Sequence, residues 1–205
     1  MRYYRPDAFP PIVKNLIIIN VLVFVAQLMF DKQYGITGLL AMWPIGHELF
    51  SPYQIATHMF THGGFMHIIF NMFALWMFGR VLENVWGPKR FLLFYLLSGI
   101  GAAAAHLGMQ LFFGDGAPAV GASGAIMGIF AAFAYLFPNT ELFIMFIPFP
   151  VKAKWAVLGL AAIDLFGGFA RFSGDNIAHF AHLGGAITGF IIVLIWNKTD
   201  KRRFY

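Results

Sequence analysis

The sequence contains no cysteine. That excludes disulfide frameworks, thiolate metal ligands and a thiol nucleophile, and leaves the redox compartment open. Charge is scarce too. Asp, Glu, Lys and Arg make up 11% of the 205 residues, where a water-soluble domain carries about 25%. With 60% hydrophobic residues the chain cannot build a water-facing surface all round, so the solvent it is made for is a bilayer. No HExxH occurs, which argues against a zinc-dependent membrane protease. No long polar linker or internal repeat divides the chain, and residues 1–205 read as a single membrane domain.

What is present instead is a set of six apolar stretches, close to the roughly 20 residues that a spanning helix needs. They run about 12–30, 64–82, 91–113, 120–137, 152–171 and 176–197, so the expected fold is all-α and polytopic. The first follows Arg2 and Arg5, as a signal peptide's core would. It is too long for one, and "FDKQYG" after it offers no cleavage site, so it reads as a retained helix.

Lys and Arg orient the bundle. With the N-terminus in the cytoplasm, the inner segments hold Arg2, Arg5, Lys14, Arg80, Lys89, Arg90, Lys152, Lys154, Lys198, Lys201, Arg202 and Arg203. The outer segments hold only Lys32 and Arg171. Both termini are then cytoplasmic, in a cell inner membrane. Tyr3, Tyr4, Trp86, Trp155 and Trp196 fall near span ends, as interfacial aromatic belts do. The net charge of +5 is spread between spans rather than gathered in a patch, so nucleic acid is not an expected partner. The tail "KTDKRRFY" is a charged stop that faces anionic lipid. The segment 31–63 contains "LLAMWPIGHELF", too apolar for a free aqueous loop. Either it lies in the outer leaflet or it packs on the bundle.

Polar groups inside spans are expensive and mark function by default. Counting 1.5 Å per residue from the outer end, His182 and Asn71 each lie roughly 9 Å down. Ser123 sits just inside the fourth span. Three helices thus bring polar groups to one shallow layer. Gly124 and Gly128 form a GxxxG on the fourth span, and Gly185 and Gly189 form another on the sixth, on the face of His182. Such faces let backbones approach closely. If the two meet, Ser123 and His182 come within reach. A serine hydroxyl becomes a nucleophile when an imidazole takes its proton, and the oxyanion that follows needs donors already in place. The Ser123 N–H, His62 and Asn71 are candidates for that task. The blander alternatives are a packing serine, a paired histidine and an interhelical asparagine.

"GASGA" at 121–125, "AHLGG" at 181–185, "HGGFMHIIFN" at 62–71 and "GRVLE" at 79–83 together resemble the rhomboid intramembrane serine proteases, in the right order and over all six spans. The resemblance implies a six-helix rhomboid bundle of the minimal bacterial form. It implies Ser123 as nucleophile and His182 as base, a dyad with no required aspartate. His62 and Asn71 fall on the oxyanion pair, His67 on a structural histidine of the second helix, and Arg80 and Glu83 on a pair that fixes the following loop. Gly121, Gly124 and Gly185 are the close-approach glycines of the site. No cofactor and no metal are implied, and the partners are membrane-anchored protein substrates and the lipid bilayer. The family's Trp-Arg of the first outer loop is missing from "MWPIG", and Met127 stands where an aromatic often packs on the base.

Other residues compete. His179 lies one turn before His182, and "AHLGG" favours His182 as the base. His58 is read as structural, and His47 and His106 are unassigned. Asp164 lies at the histidine depth in span five. It reads as a hydrogen-bonded or protonated carboxyl near the substrate gate rather than a catalytic group. Paired histidines at 58/62, 62/67 and 179/182 superficially suggest a di-iron oxidase, without the carboxylates such a site uses. A client-binding relative without activity and a transporter are further alternatives.

Overall fold

The computed structural model describes residues 6–113, 117–144, 148–170 and 179–199. These residues form a helical bundle with one two-residue strand pair, β1 (Glu141–Leu142) and β2 (Val151–Lys152). Arg2, Arg5, Tyr3, Tyr4, Arg171, Lys201, Arg202 and Arg203, which carry part of the orientation argument, lie outside the described residues, as does most of the charged tail.

Among the described residues, four helices are long and apolar enough to cross a membrane. The first, α1 (Pro11–Tyr34), starts with proline at its first turn, where a missing N–H costs nothing. It stops at Gly35, whose φ of 61° gives the left-handed cap and returns its N–H to Asp31. The second is a continuous rod, Phe65–Trp86. It consists of α4 (Phe65–Ala74), a π-helical turn at Leu75–Gly79 and α5 (Arg80–Trp86). Gly87 and Pro88 turn the chain directly into α6 (Pro88–Phe113). The fourth is α9 (His179–Thr199). Two further helices complete the bundle: α7 (Ser123–Leu136) and α8 (Ala153–Ala170).

At 14 residues α7 is about 21 Å long, short of the roughly 30 Å hydrocarbon core. Eleven of its residues are buried. A helix that is apolar all round belongs inside other helices, and α6 and α9 enclose it. Contact is close because the facing residues are small. A Cβ added at Gly124 would lie 2.5 Å from that of Ala102 on α6. One at Gly189 would lie 2.6 Å from the Gly128 backbone, and one at Gly185 would overlap the Gly124 carbonyl. The two GxxxG faces therefore meet.

The long segment between α1 and α4 packs on the bundle. It carries α2 (Ile36–Leu40), α3 (Gln54–Thr57) and a 3₁₀ turn at His58–Phe60. Buried Gln54 ties it together, accepting from the N–H of Ser51 and of Trp43 and donating to the carbonyls of Leu39 and Leu49. The segment also holds the approach to α7: Met42 pairs with Ala119 in an antiparallel bridge, and the Gly121 N–H donates to the His58 carbonyl.

Glu83 is used differently from the pairing that the resemblance implies. Its buried carboxylate accepts the Ile12 and Val13 N–H groups, at 2.9 and 2.8 Å, and so caps the N-terminus of α1. Arg80 lies over the Trp76 ring, 4.4 Å from its centroid. Among the described residues, the Glu83 side chain thus joins α5 to α1, and Arg80 joins it to a neighbouring aromatic.

Candidate active site

Ser123 is the first residue of α7. The helix starts there, not at residue 120, because Gly121 has a φ of 116° and turns the chain sharply just before it. A residue with a side chain is strained at that φ. It would also collide here, since a Cβ on Gly121 would stand 2.7 Å from Cε1 and Nε2 of His67. The first N–H groups of α7 have no partners within the helix, so its positive end lies beside the Ser123 hydroxyl.

His182 lies one turn into α9, and its Nε2 is 2.8 Å from Ser123 Oγ. Its Nδ1 is 3.0 Å from Oδ1 of Asp164 on α8. Nδ1 of His179 lies 2.9 Å from the same oxygen. Between them, α7, α8 and α9 thus assemble a serine, two histidines and one carboxylate. These groups are among the residues that line a cavity of about 580 Å³ bounded by α4, α7, α8 and α9. Asn71 lines it as well; Phe70, Met77, Phe130 and Ile163 are among the residues of its apolar walls. Met127, in the position of the expected aromatic, is part of the same lining.

The structure does not bring His62 to this cavity. The residue is 2% exposed, and its backbone N–H and carbonyl are held by the Gln27 side chain. Its ring packs edge-on against His67, with centroids 5.1 Å apart. His67 is only partly buried and lies against Gly121, two residues before the serine. It shares a face of α4 with Asn71, four residues on, whose amide donates to the His67 carbonyl at 2.8 Å. His67 Nδ1 accepts the Gly63 N–H at 3.3 Å. The neutral ring then carries its proton on Nε2, the atom facing Gly121. Neither histidine ring is among the residues that line the cavity, but His67 lies against Gly121 and shares a helix face with Asn71, where the expected pair has His62. The difference follows from the start of α4. Residues 61–64 are not helical, so His62 falls off the face that Asn71 shares.

Burial pushes the His58 and His62 rings, both outside the spans, down to about 4 from an ordinary 6.5. Both are neutral in the folded chain at pH 7. In the unfolded chain each binds its proton near 6.5, so the unfolded state gains protons first as the pH falls. Stability is therefore expected to be flat above pH 6.5 and to decline toward pH 4 by a few kcal/mol in all. Unfolding midpoints in detergent between pH 7.5 and 4.5 measure this. His58→Gln should flatten the decline, and an equally steep curve would show that other groups cause it.

A family model described as the Rhomboid domain matches residues 50–198. The chain is 32% identical over 197 residues to the human presenilin-associated rhomboid-like protein, mitochondrial, covering 92% of the chain and 50% of that protein. It is 33% identical over 155 residues to yeast rhomboid protein 1, mitochondrial, covering 75% of the chain and 44% of that protein. It is 30% identical over 192 residues to rhomboid-like protein 11, chloroplastic, of Arabidopsis thaliana, covering 89% and 64%. The chain spans about half the length of the mitochondrial relatives. These names also correct the expected placement in a cell inner membrane, because the relatives are proteins of mitochondria and of a chloroplast.

Proposed function

This chain belongs to the rhomboid family, and from that premise we propose that it is an intramembrane serine endopeptidase acting on membrane-anchored proteins. The observation that carries the reading is the 2.8 Å contact between Ser123 Oγ and His182 Nε2 in the lining of a mostly apolar cavity. We read the bundle as one domain of six membrane helices, the four long ones together with α8 and the short, enclosed α7. Following its relatives, we assign it to the membrane of an organelle.

In the proposed reaction His182 Nε2 takes the Ser123 proton as Oγ attacks the peptide carbonyl. The oxyanion forms beside the free N–H groups of α7, the Nε2–H of His67 and the amide of Asn71. The proton then passes from His182 to the leaving amine, and a water repeats the sequence to release the acyl group. The apolar cavity supports an apolar substrate segment beside the serine.

Cleavage of a single-span model protein by the purified chain in liposomes tests this, together with labelling of Ser123 by a fluorophosphonate. Cleavage and labelling that persist with a chelator are expected. Labelling at another residue, or none with cleavage intact, would sink the serine mechanism, and loss of cleavage on chelation would favour a metal. The donor pair has its own test. His67→Ala is expected to lower kcat by about 100-fold, the usual loss for one oxyanion donor. His62→Phe, which keeps a buried ring, should lower it far less. The reverse order would restore His62 to the site.

A further inference from the structure

The proposed reaction uses Ser123 and His182 and leaves Asp164 and His179 without a task. Asp164 is 7% exposed on a helix whose neighbouring residues Ile163, Leu165 and Phe166 are 65%, 50% and 67% exposed. A carboxylate in a spanning helix is costly unless paired, and here both histidines of α9 meet it. Room for this is built in. Gly167, one turn along α8, admits the His179 ring, and a Cβ there would lie 2.5 Å from Cε1 and Nε2.

We propose that Asp164 is the positioning residue of the base: it holds His182 in the one tautomer that can deprotonate Ser123, while His179 fixes the carboxylate. The inference rests on the proposed Ser123–His182 chemistry and deepens it. An ionised carboxylate oxygen only accepts hydrogen bonds. Oδ1 faces Nδ1 of His182 at 3.0 Å and Nδ1 of His179 at 2.9 Å. Both rings must therefore carry their proton on Nδ1. His182 Nε2 is then a bare lone pair, 2.8 Å from Ser123 Oγ, and the hydroxyl donates to it. In the other tautomer Nε2 would donate to Oγ instead, and bare Nδ1 would face a carboxylate oxygen. That arrangement is both repulsive and inert. As Oγ bonds to the carbonyl carbon its proton moves to Nε2, and the imidazolium then faces the Asp164 charge. The proton stays on the histidine until it leaves with the amine; Asp164 takes none. Because Asp164 is on α8, a wall of the cavity, the base is set only while α8 lies against α9.

The test uses the full chain in detergent, with the single-span substrate and the fluorophosphonate. Asp164→Asn and Asp164→Ala are expected to lower kcat by about 100-fold or more with KM within about threefold. Labelling of Ser123 should slow by the same factor, since the small probe needs no substrate gate. Formate should restore part of the Asp164→Ala rate by refilling the carboxylate site. In ¹⁵N-histidine spectra of the resting protein, His182 should carry its proton on Nδ1 in the wild type and lose that signature in Asp164→Ala. Labelling of Asp164→Ala at the wild-type rate, a change confined to KM, or an unchanged His182 tautomer would each overturn the proposal. If Asp164→Ala does not fold, Asp164→Asn, near in volume, decides by its labelling rate and its kcat. Failure of the underlying chemistry looks different: Ser123→Ala would still cleave, and the ¹⁵N spectra alone would then judge Asp164.

Discussion

Ser123→Ala is expected to remove cleavage altogether, a loss on the order of 10⁴-fold or more in kcat/KM. The substitution deletes one oxygen and leaves the first turn of α7 unchanged, so the unfolding midpoint should not move. His182→Ala should cost nearly as much, because a hydroxyl without its base is no nucleophile. The double variant should be no worse than either single one, since residues that act as a unit do not add. Cleavage rates of the three variants beside the wild type measure this, with thermal unfolding as the control for folding. Two independent losses that multiplied in the double variant would show that the side chains do not act together, whatever their 2.8 Å separation. Residual cleavage by Ser123→Ala above the uncatalysed rate would place the nucleophile elsewhere.

That pair was legible in the sequence because three separate signals coincide at it. A polar group recurs at one depth, a small-residue face accompanies each member, and glycines flank the serine. Other parts of the site were less legible, for different reasons. His67 and Asn71 are four residues apart on one helix, and that signal was in the sequence. The motif match points to His62 instead, and the non-helical stretch at 61–64 takes that residue off the helix face. The place of Asp164 is another matter. Its depth could be counted, but the rotation of α8 about its own axis decides whether the carboxylate meets His182 or lipid, and no local pattern sets that angle. Glu83 capping α1 across 71 positions of sequence is a long-range contact of the same kind. The π-helical turn at Leu75–Gly79 escapes periodicity by inserting one extra residue into an otherwise regular rod. The distribution of Lys and Arg says which end of a span faces which side. It is silent on which membrane, and there the relatives overturn the expectation.

Gly185→Ala is expected to be the most damaging added methyl group among the described glycines. Its Cβ would overlap the Gly124 carbonyl, and behind that oxygen are the Gly124 carbon and Cα. Overpacked cores usually lose about 1–3 kcal/mol because side chains can yield. Here the obstacle is backbone on a helix buried on nearly every face, so the loss should reach about 3 kcal/mol or more. The helices can only separate, and the separation passes directly to the site. Gly124 follows Ser123, and Gly185 lies three residues after His182, so moving α9 off α7 opens the Oγ–Nε2 contact. A displacement near 1 Å is enough to cost about 100-fold in rate. Stability and activity should therefore fall together in this variant. Gly159→Ala and Gly108→Ala supply the contrast. Among the described residues nothing lies within 4 Å of a Cβ at either position, and alanine is the better helix former by about 1 kcal/mol. Both should unfold no earlier than the wild type and cleave at its rate. Unfolding midpoints and initial cleavage rates of the three variants measure the difference. If Gly185→Ala behaved like Gly159→Ala, the α7–α9 crossing would be looser than this packing requires, and Ser123 and His182 would need another support to stay in contact.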